Sequence, residues 1–381
     1  MQESAQVPGK REYLAYLLEN KLSELDVLPV VPAVDDTTKA RVDDLLHLAL
    51  EAGHGNVVRQ FHAAASANTN DLIALMNGSL VRRFAARGIK IPSDVFVGVF
   101  PTNSFNAHVV SRPPWQLILI NTGTFEFLEA TLSIYLSLNP GTARDGAKML
   151  AKLVREYCDE KGYQKNSNYR HPVLDSQRLD AVRHFVTVIE EFAIAHEYGH
   201  LAKGHVGNAL ADIAVNPKLK ISVAAKTKEQ EFEADRWATN ALLTVYSNES
   251  EGEGASLVGC SGPLMFLSLE NLIEACFQSR GLRFDTHPPA IQRYVELRYA
   301  LAKAGMNQAA QAAVNFSKFC VLAAQELGVE LPEAKSIMLV VDHVGSLVEG
   351  GLQDAVPIPQ QDGLPIYSEA RAPEKKKSRW W

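Results

Sequence analysis

One segment constrains this chain more than any other: Glu190-Glu191-Phe192-Ala193-Ile194-Ala195-His196-Glu197-Tyr198-Gly199-His200. Phe185, Ile189, Phe192 and Ala193 give the preceding turns an apolar face, so a buried or half-buried helix runs into the two histidines. Positions four apart on a helix lie one turn above each other on the same face. His196 and His200 can therefore aim their imidazoles at one ion, with Glu197 beside them to take a proton from water. H-E-x-x-H on such a helix is a zinc-hydrolase signature. Gly199, inside the helix, costs about 1 kcal/mol relative to alanine, which predicts a close backbone approach at this wall.

A catalytic zinc takes three protein ligands, so another element must supply the third. Glu231 is the preferred candidate. It lies in Glu231-Phe232-Glu233-Ala234-Asp235, on a helix predicted from Thr227 to Tyr246. Asp235, one turn further on the same face, can accept the free ring N–H of a ligand histidine and fix its tautomer. The competing reading makes Glu229, Glu231, Glu233 and Asp235 a solvated acidic face, the usual fate of charge runs; Glu233 points away from Glu231 and is expected in solvent. His205 is the weaker candidate ligand. A metzincin needs its third histidine six residues after the second with a glycine three after, and Val206 and Lys203 hold those positions. Further on, Asp285-Thr286-His287-Pro288-Pro289-Ala290-Ile291-Gln292-Arg293 holds His287 at the start of a helix that Thr286 can cap.

In this order the motifs resemble those of the gluzincin metallopeptidases of the CAAX-prenyl endopeptidase, HtpX and Oma type. That family has H-E-x-x-H with a further histidine five residues on, matching His196 to His205, and a Glu-x-x-Ala-Asp helix, matching Glu231 to Asp235. It also has a Thr-His-Pro-Pro segment with a following arginine, matching Thr286 to Arg293. Its upstream Asn-Ala element and Asn-Thr-Gly strand end look like Asn106-Ala107 and Asn121-Thr122-Gly123. The similarity spans residues 94 to 298. It implies a zinc endopeptidase with Zn2+ held by His196, His200 and Glu231, with Glu197 and His287 catalytic. Asp235 and Arg293 support the ligands, and Asn106 and Ala107 contact substrate. In that mechanism Glu197 takes the water proton and passes it to the leaving amine, and His287 stabilises the oxyanion or gates the site.

The chain departs from the family in two ways. Roughly seventy residues separate the Asn-Thr-Gly end from H-E-x-x-H, where family members have few. Most members are also membrane-embedded or exported. A soluble chain with long insertions is similar, more loosely, to phage-exclusion proteases of the Lit type, and a stress or anti-phage protease is one biological role consistent with it. The alternative class is a zinc-stabilised binding module without turnover. Glu197 argues against it, since a structural site has no use for a base and closes with four protein ligands.

The remaining sequence predicts an α+β chain, mostly helical, with a zincin-like (gluzincin) core. It divides into a helical N-terminal region (1–90), a metallopeptidase domain (91–350) with an insertion at about 139–180, and a tail (351–381) expected to be disordered. The N-terminal region carries helical apolar spacing at Arg41 to Ala52 and Asn70 to Ala86. Asp94 to Phe100 and Trp115 to Ile120 read as strands. Leu117, Ile118, Leu119 and Ile120 are expected to border the cleft and offer a strand edge to an extended substrate. Ser247 to Ser261, polar and glycine-rich, reads as a surface loop. Helices are expected near Leu264–Ser279, Ala290–Ala304, Gln308–Leu327 and Pro332–Glu349.

A net charge of −6 gives no electrostatic case for nucleic acid or anionic membrane. With no leader-like or spanning run, the chain is expected to be cytoplasmic, acting on a protein or peptide. A regulatory partner could dock on the tail that ends in Trp380-Trp381. Cys158, Cys260, Cys276 and Cys320 have neither ligand nor redox spacing and read as buried free thiols.

Overall fold

The computed structural model describes residues 9–20, 69–102, 105–139, 142–160, 172–206, 210–216, 219–224, 226–246, 252–281 and 288–331. Helices α1 (Lys10–Glu19) and α2 (Thr69–Ala86) precede strands β1 (Val95–Phe100), β2 (Ala107–Arg112) and β3 (Trp115–Asn121). Then come α3 (Thr122–Leu136), α4 (Ala143–Glu160), α5 (Ser176–Ala202), the hairpin β4 (Leu210–Asn216) and β5 (Leu219–Ala224), α6 (Lys228–Tyr246), α7 (Gly252–Ser279), α8 (Ala290–Lys303) and α9 (Asn307–Leu327). The predicted helices at Arg41 to Ala52 and Pro332–Glu349, and the tail, lie outside the described residues. The fold is α+β and mostly helical, with one small three-stranded sheet and a separate hairpin.

The sheet order is β1-β3-β2, parallel between β1 and β3 and antiparallel between β3 and β2. Residues 117 to 121 are buried on both sides, as the uninterrupted run Leu-Ile-Leu-Ile demands of a central strand. Ile118 and Ile120 face the main core, and Leu117 and Leu119 face a smaller cluster completed by Tyr13, Tyr16 and Leu17 of α1. The expectation that Leu117, Ile118, Leu119 and Ile120 present an edge to substrate is therefore corrected. Both edges of β3 are already paired, by Leu117 to Phe96 and Val110, and by Ile120 to Val99 and Ala107. Among the described residues β2, which the sequence reading missed, has β3 as its one ladder partner, and β5 packs close to it.

A second correction concerns Ser247 to Ser261. Helix α7 already begins at Gly252 and carries Pro263 in its interior. Just beyond that stretch Gly262 is a close contact: a Cβ there would lie 2.6 Å from Val188 Cγ1 on α5. Within the stretch predicted as an insertion, α4 contributes Leu150, Leu153, Val154 and Tyr157 to the main core. The Tyr157 hydroxyl also accepts from Phe105 N at 2.7 Å, tying that helix to the segment before β2.

Candidate metal centre

Helix α5 starts at Asp175, whose carboxylate accepts from Arg178 N, and runs to Ala202. Residues 186 to 200 are all buried, so even the polar residues of the motif are removed from water. Helix α6 starts with a capping box. Thr227 Oγ1 accepts from Gln230 N (3.3 Å), and Gln230 Oε1 accepts from Thr227 N (2.8 Å). The two helices meet at small residues. A Cβ on Gly199 would lie 3.0 Å from the Ala234 carbonyl oxygen and 3.1 Å from Ala234 Cα, so the backbones nearly touch. That approach lets a glutamate on one helix reach two histidines on the other.

His196 Nε2 and His200 Nε2 are 3.0 Å apart, and Glu231 lies 3.2 Å from the first and 3.5 Å from the second. All three side chains are buried. Donors held at about 2.0–2.1 Å by a tetrahedral zinc lie roughly 3.3 Å from one another, so these separations fit such an ion. Among the described residues, these three form the group able to hold a metal.

Each imidazole is oriented from behind. His196 Nδ1 donates to Asp235 Oδ1 at 2.9 Å. Asp235 is gripped by Arg293, whose Nε and Nη2 donate to its two oxygens at 2.6 and 2.7 Å. Arg293 Nη1 also reaches Glu270 at 2.9 Å. On the other side, His200 Nδ1 lies 3.1 Å from His205 Nδ1, and His205 Nε2 lies 3.0 Å from Glu233 Oε2. A carboxylate only accepts, so His205 carries its proton on Nε2. Its bare Nδ1 then accepts from His200, which leaves the His200 Nε2 lone pair facing Glu231.

The charges around the centre do not balance. Glu197, Glu231, Asp235 and Glu270 are acidic, whereas Lys226 and Arg293 are basic, an excess of two negative charges in a dry setting before the histidines are counted, of which a protonated His196 offsets one. Burial alone would push His196 down, yet the Asp235 and Glu231 carboxylates outweigh it and raise it to about 9. Burial, with Lys226 next, pushes His200 down to about 3. For Glu197, burial works against the anion, but Lys226 and the two imidazoles lower it to about 2. Burial likewise opposes the Asp235 anion, and Arg293 holds that carboxyl below its usual range. A buried pocket with this negative surplus, whose His196 proton a metal would displace, suits a divalent cation.

The structure thus brings His196, Glu197, His200, Glu231, Asp235 and Arg293 into one cluster. His205 stands behind His200 rather than among the inward-facing donors. Glu233 is partly exposed, as expected, but holds His205. His287 and Thr286 lie outside the described residues; at the start of α8, Glu274 accepts from Ala290 N at 3.1 Å. The Asn106 side chain turns onto its own strand, its Oδ1 accepting from Ala107 N at 2.8 Å.

Three neighbours had been missed. Lys226 donates to Glu197 at 3.0 Å, and Glu270 shares Arg293. His108 on β2 is buried, lies within the field of Glu197 and Lys226, and is pushed down to about 4, chiefly by burial. The Thr227–Gln230 box marked where α6 begins, hence where Lys226 sits in the chain, but nothing local tied it to Glu197.

A family model described as Peptidase U49 matches residues 142–313, somewhat under half of the chain, and that span contains every residue of the cluster except His108. The similarity supports a peptidase, with protein or peptide as its substrate. No curated protein and no solved structure matches the chain. No helix among the described residues is long and apolar enough to cross a membrane.

Proposed function

We propose that this chain is a zinc-dependent endopeptidase. The observation that carries the reading is the convergence of His196 Nε2, His200 Nε2 and the Glu231 carboxylate at 3.0–3.5 Å, with Glu197 adjoining. His196, His200 and Glu231 would hold the ion, which when bound supplies Lewis-acid polarisation of a water and of the scissile carbonyl. Glu197 accepts the water proton and delivers it to the leaving amine. Asp235 and His205 keep the two imidazoles in the tautomers that face inward, and Arg293 fixes Asp235. The zincin-like relationship belongs to this proposal, and so does His287 as a further group at the reacting carbonyl. Whether the enzyme serves stress or anti-phage defence, and whether the tail docks a regulator, are further parts of the proposal.

The decisive experiment measures bound metal and peptide hydrolysis on one preparation. About one zinc per chain is expected, with cleavage of an unstructured protein such as casein. Chelation should abolish cleavage, and re-added zinc should restore it. Full activity in metal-free protein would overturn the reading.

Glu231→Gln keeps the side-chain volume but removes the charge. Its zinc affinity is expected to fall by more than the 10- to 100-fold typical of losing an outer partner, as read by competition with a zinc-chelating dye. Because the substitution also relieves negative crowding, the metal-free variant should melt no lower than metal-free wild type. That separates loss of a ligand from loss of the fold. An unchanged zinc affinity would move the third ligand elsewhere.

A further inference from the structure

We propose that Lys226 is a further catalytic residue of this site, the cation that binds the oxyanion formed when a peptide carbonyl is attacked. The inference rests on the peptidase reading above. Lys226 is the residue immediately before the Thr227–Gln230 capping box, so its backbone is fixed at the mouth of the helix that carries Glu231. Its side chain is nearly buried, about 10% exposed, and its ammonium meets the equally buried Glu197 at 3.0 Å. An ammonium has three donors, and Glu197 is its one hydrogen-bond partner among the described residues. Two donors are left over among the described residues, and the ammonium's charge is felt at Glu197, His200 and His108 alike.

Stability does not account for this pair. A buried ion pair is on average no better for folding than an apolar pair of the same volume. In this position, however, a cation beside the base lies next to the carbon that the base-activated water attacks. The step balances without any further reagent. The water oxygen bonds to the carbonyl carbon, Glu197 takes the water proton, and the carbonyl π electrons move onto oxygen. Lys226 donates hydrogen bonds to that oxygen without giving up a proton. Collapse breaks the C–N bond, and the proton held by Glu197 passes to the departing nitrogen. Donors aimed at such an oxygen in a dry site stabilise the transition state more than the ground state.

The test compares zinc-loaded wild type, Lys226→Met and Lys226→Arg by two readouts. One is kcat and KM on a quenched fluorescent peptide. The other is calorimetric affinity for a peptide phosphonamidate, a tetrahedral anion shaped like the addition product. For Lys226→Met, kcat should fall about 10²- to 10³-fold with KM little changed. Phosphonamidate binding should weaken by about 10²-fold, and zinc content should stay at the wild-type level. Lys226→Arg should recover part of both losses because it keeps the charge. If Lys226→Met does not fold, Lys226→Gln carries the same expectations, since it keeps a donor to Glu197 without the charge. Unchanged kcat and phosphonamidate affinity overturn the inference, and so does faster turnover, which would make the ion pair a lock on Glu197. A wild type that neither cleaves peptide nor binds the phosphonamidate overturns the peptidase reading together with this one. A wild type that does both, equalled by Lys226→Met, overturns this one alone.

Discussion

Replacing Glu197 with glutamine is expected to lower kcat by about 10²- to 10⁴-fold while the protein keeps its zinc. Glutamine has the same shape, so the end of α5 and the positions of His196 and His200 should not move. What disappears is the ability to accept a proton from water. The Lys226 ammonium can still donate to the amide oxygen, so the local hydrogen bond at 3.0 Å survives in weaker form. The check is a paired measurement on one preparation, metal content by mass spectrometry and turnover on a quenched peptide. A variant that retains zinc and cleaves within tenfold of wild type would remove Glu197 from the role of base. A variant that loses zinc would mean the carboxylate serves the metal site rather than the water.

Arg293→Met is expected to have the largest effect on the fold. The guanidinium, about 3% exposed, holds both Asp235 oxygens and one oxygen of Glu270. Removing it leaves buried carboxylates against each other and enlarges the negative surplus of the cluster. Breaking one side of a buried ion pair costs about 3–5 kcal/mol, or on the order of 4–6 °C in melting temperature for a chain of this size. Zinc affinity should fall as well, by about 10- to 100-fold, because Asp235 no longer fixes the His196 tautomer. Arg293→Lys should not rescue the protein, since a single ammonium cannot span three oxygens in the planar fork that arginine provides. Thermal unfolding of metal-free wild type and variant measures the first effect, and zinc titration the second. A melting temperature within about 2 °C of wild type would show that Asp235 is held by other contacts.

These outcomes depend on residues that were legible to different degrees. The H-E-x-x-H helix could be read directly, because a four-residue spacing on an apolar-faced helix is a local property. Glu231 and Asp235 were legible as a pair one turn apart, yet only the Gly199–Ala234 contact brings them to the histidines. The β2 strand escaped notice because Ala-His-Val-Val-Ser-Arg has little alternation of its own, and its pairing with β3 makes it a strand. Residues 252 to 261 read locally as a loop because they are polar and glycine-rich, yet they form the first turns of a helix whose later turns enter the main core. Lys226 and Glu197 are far apart in sequence, and no period or spacing links a lysine before one helix to a glutamate near the end of another.

By itself the sequence determined the inner pair of histidines, the adjoining base, the helical periods and the run that became the central strand. Each is encoded within one or two turns or one strand length of chain. Tertiary structure alone decided that Glu231 and Asp235, offered by the sequence as candidates, reach the imidazoles, that His205 backs His200, that Lys226 meets Glu197, and where the buried charges fail to cancel. Those outcomes depend on how closely two backbones approach and on what is excluded from water between them. Both are properties of packed surfaces, and no short stretch of sequence contains them.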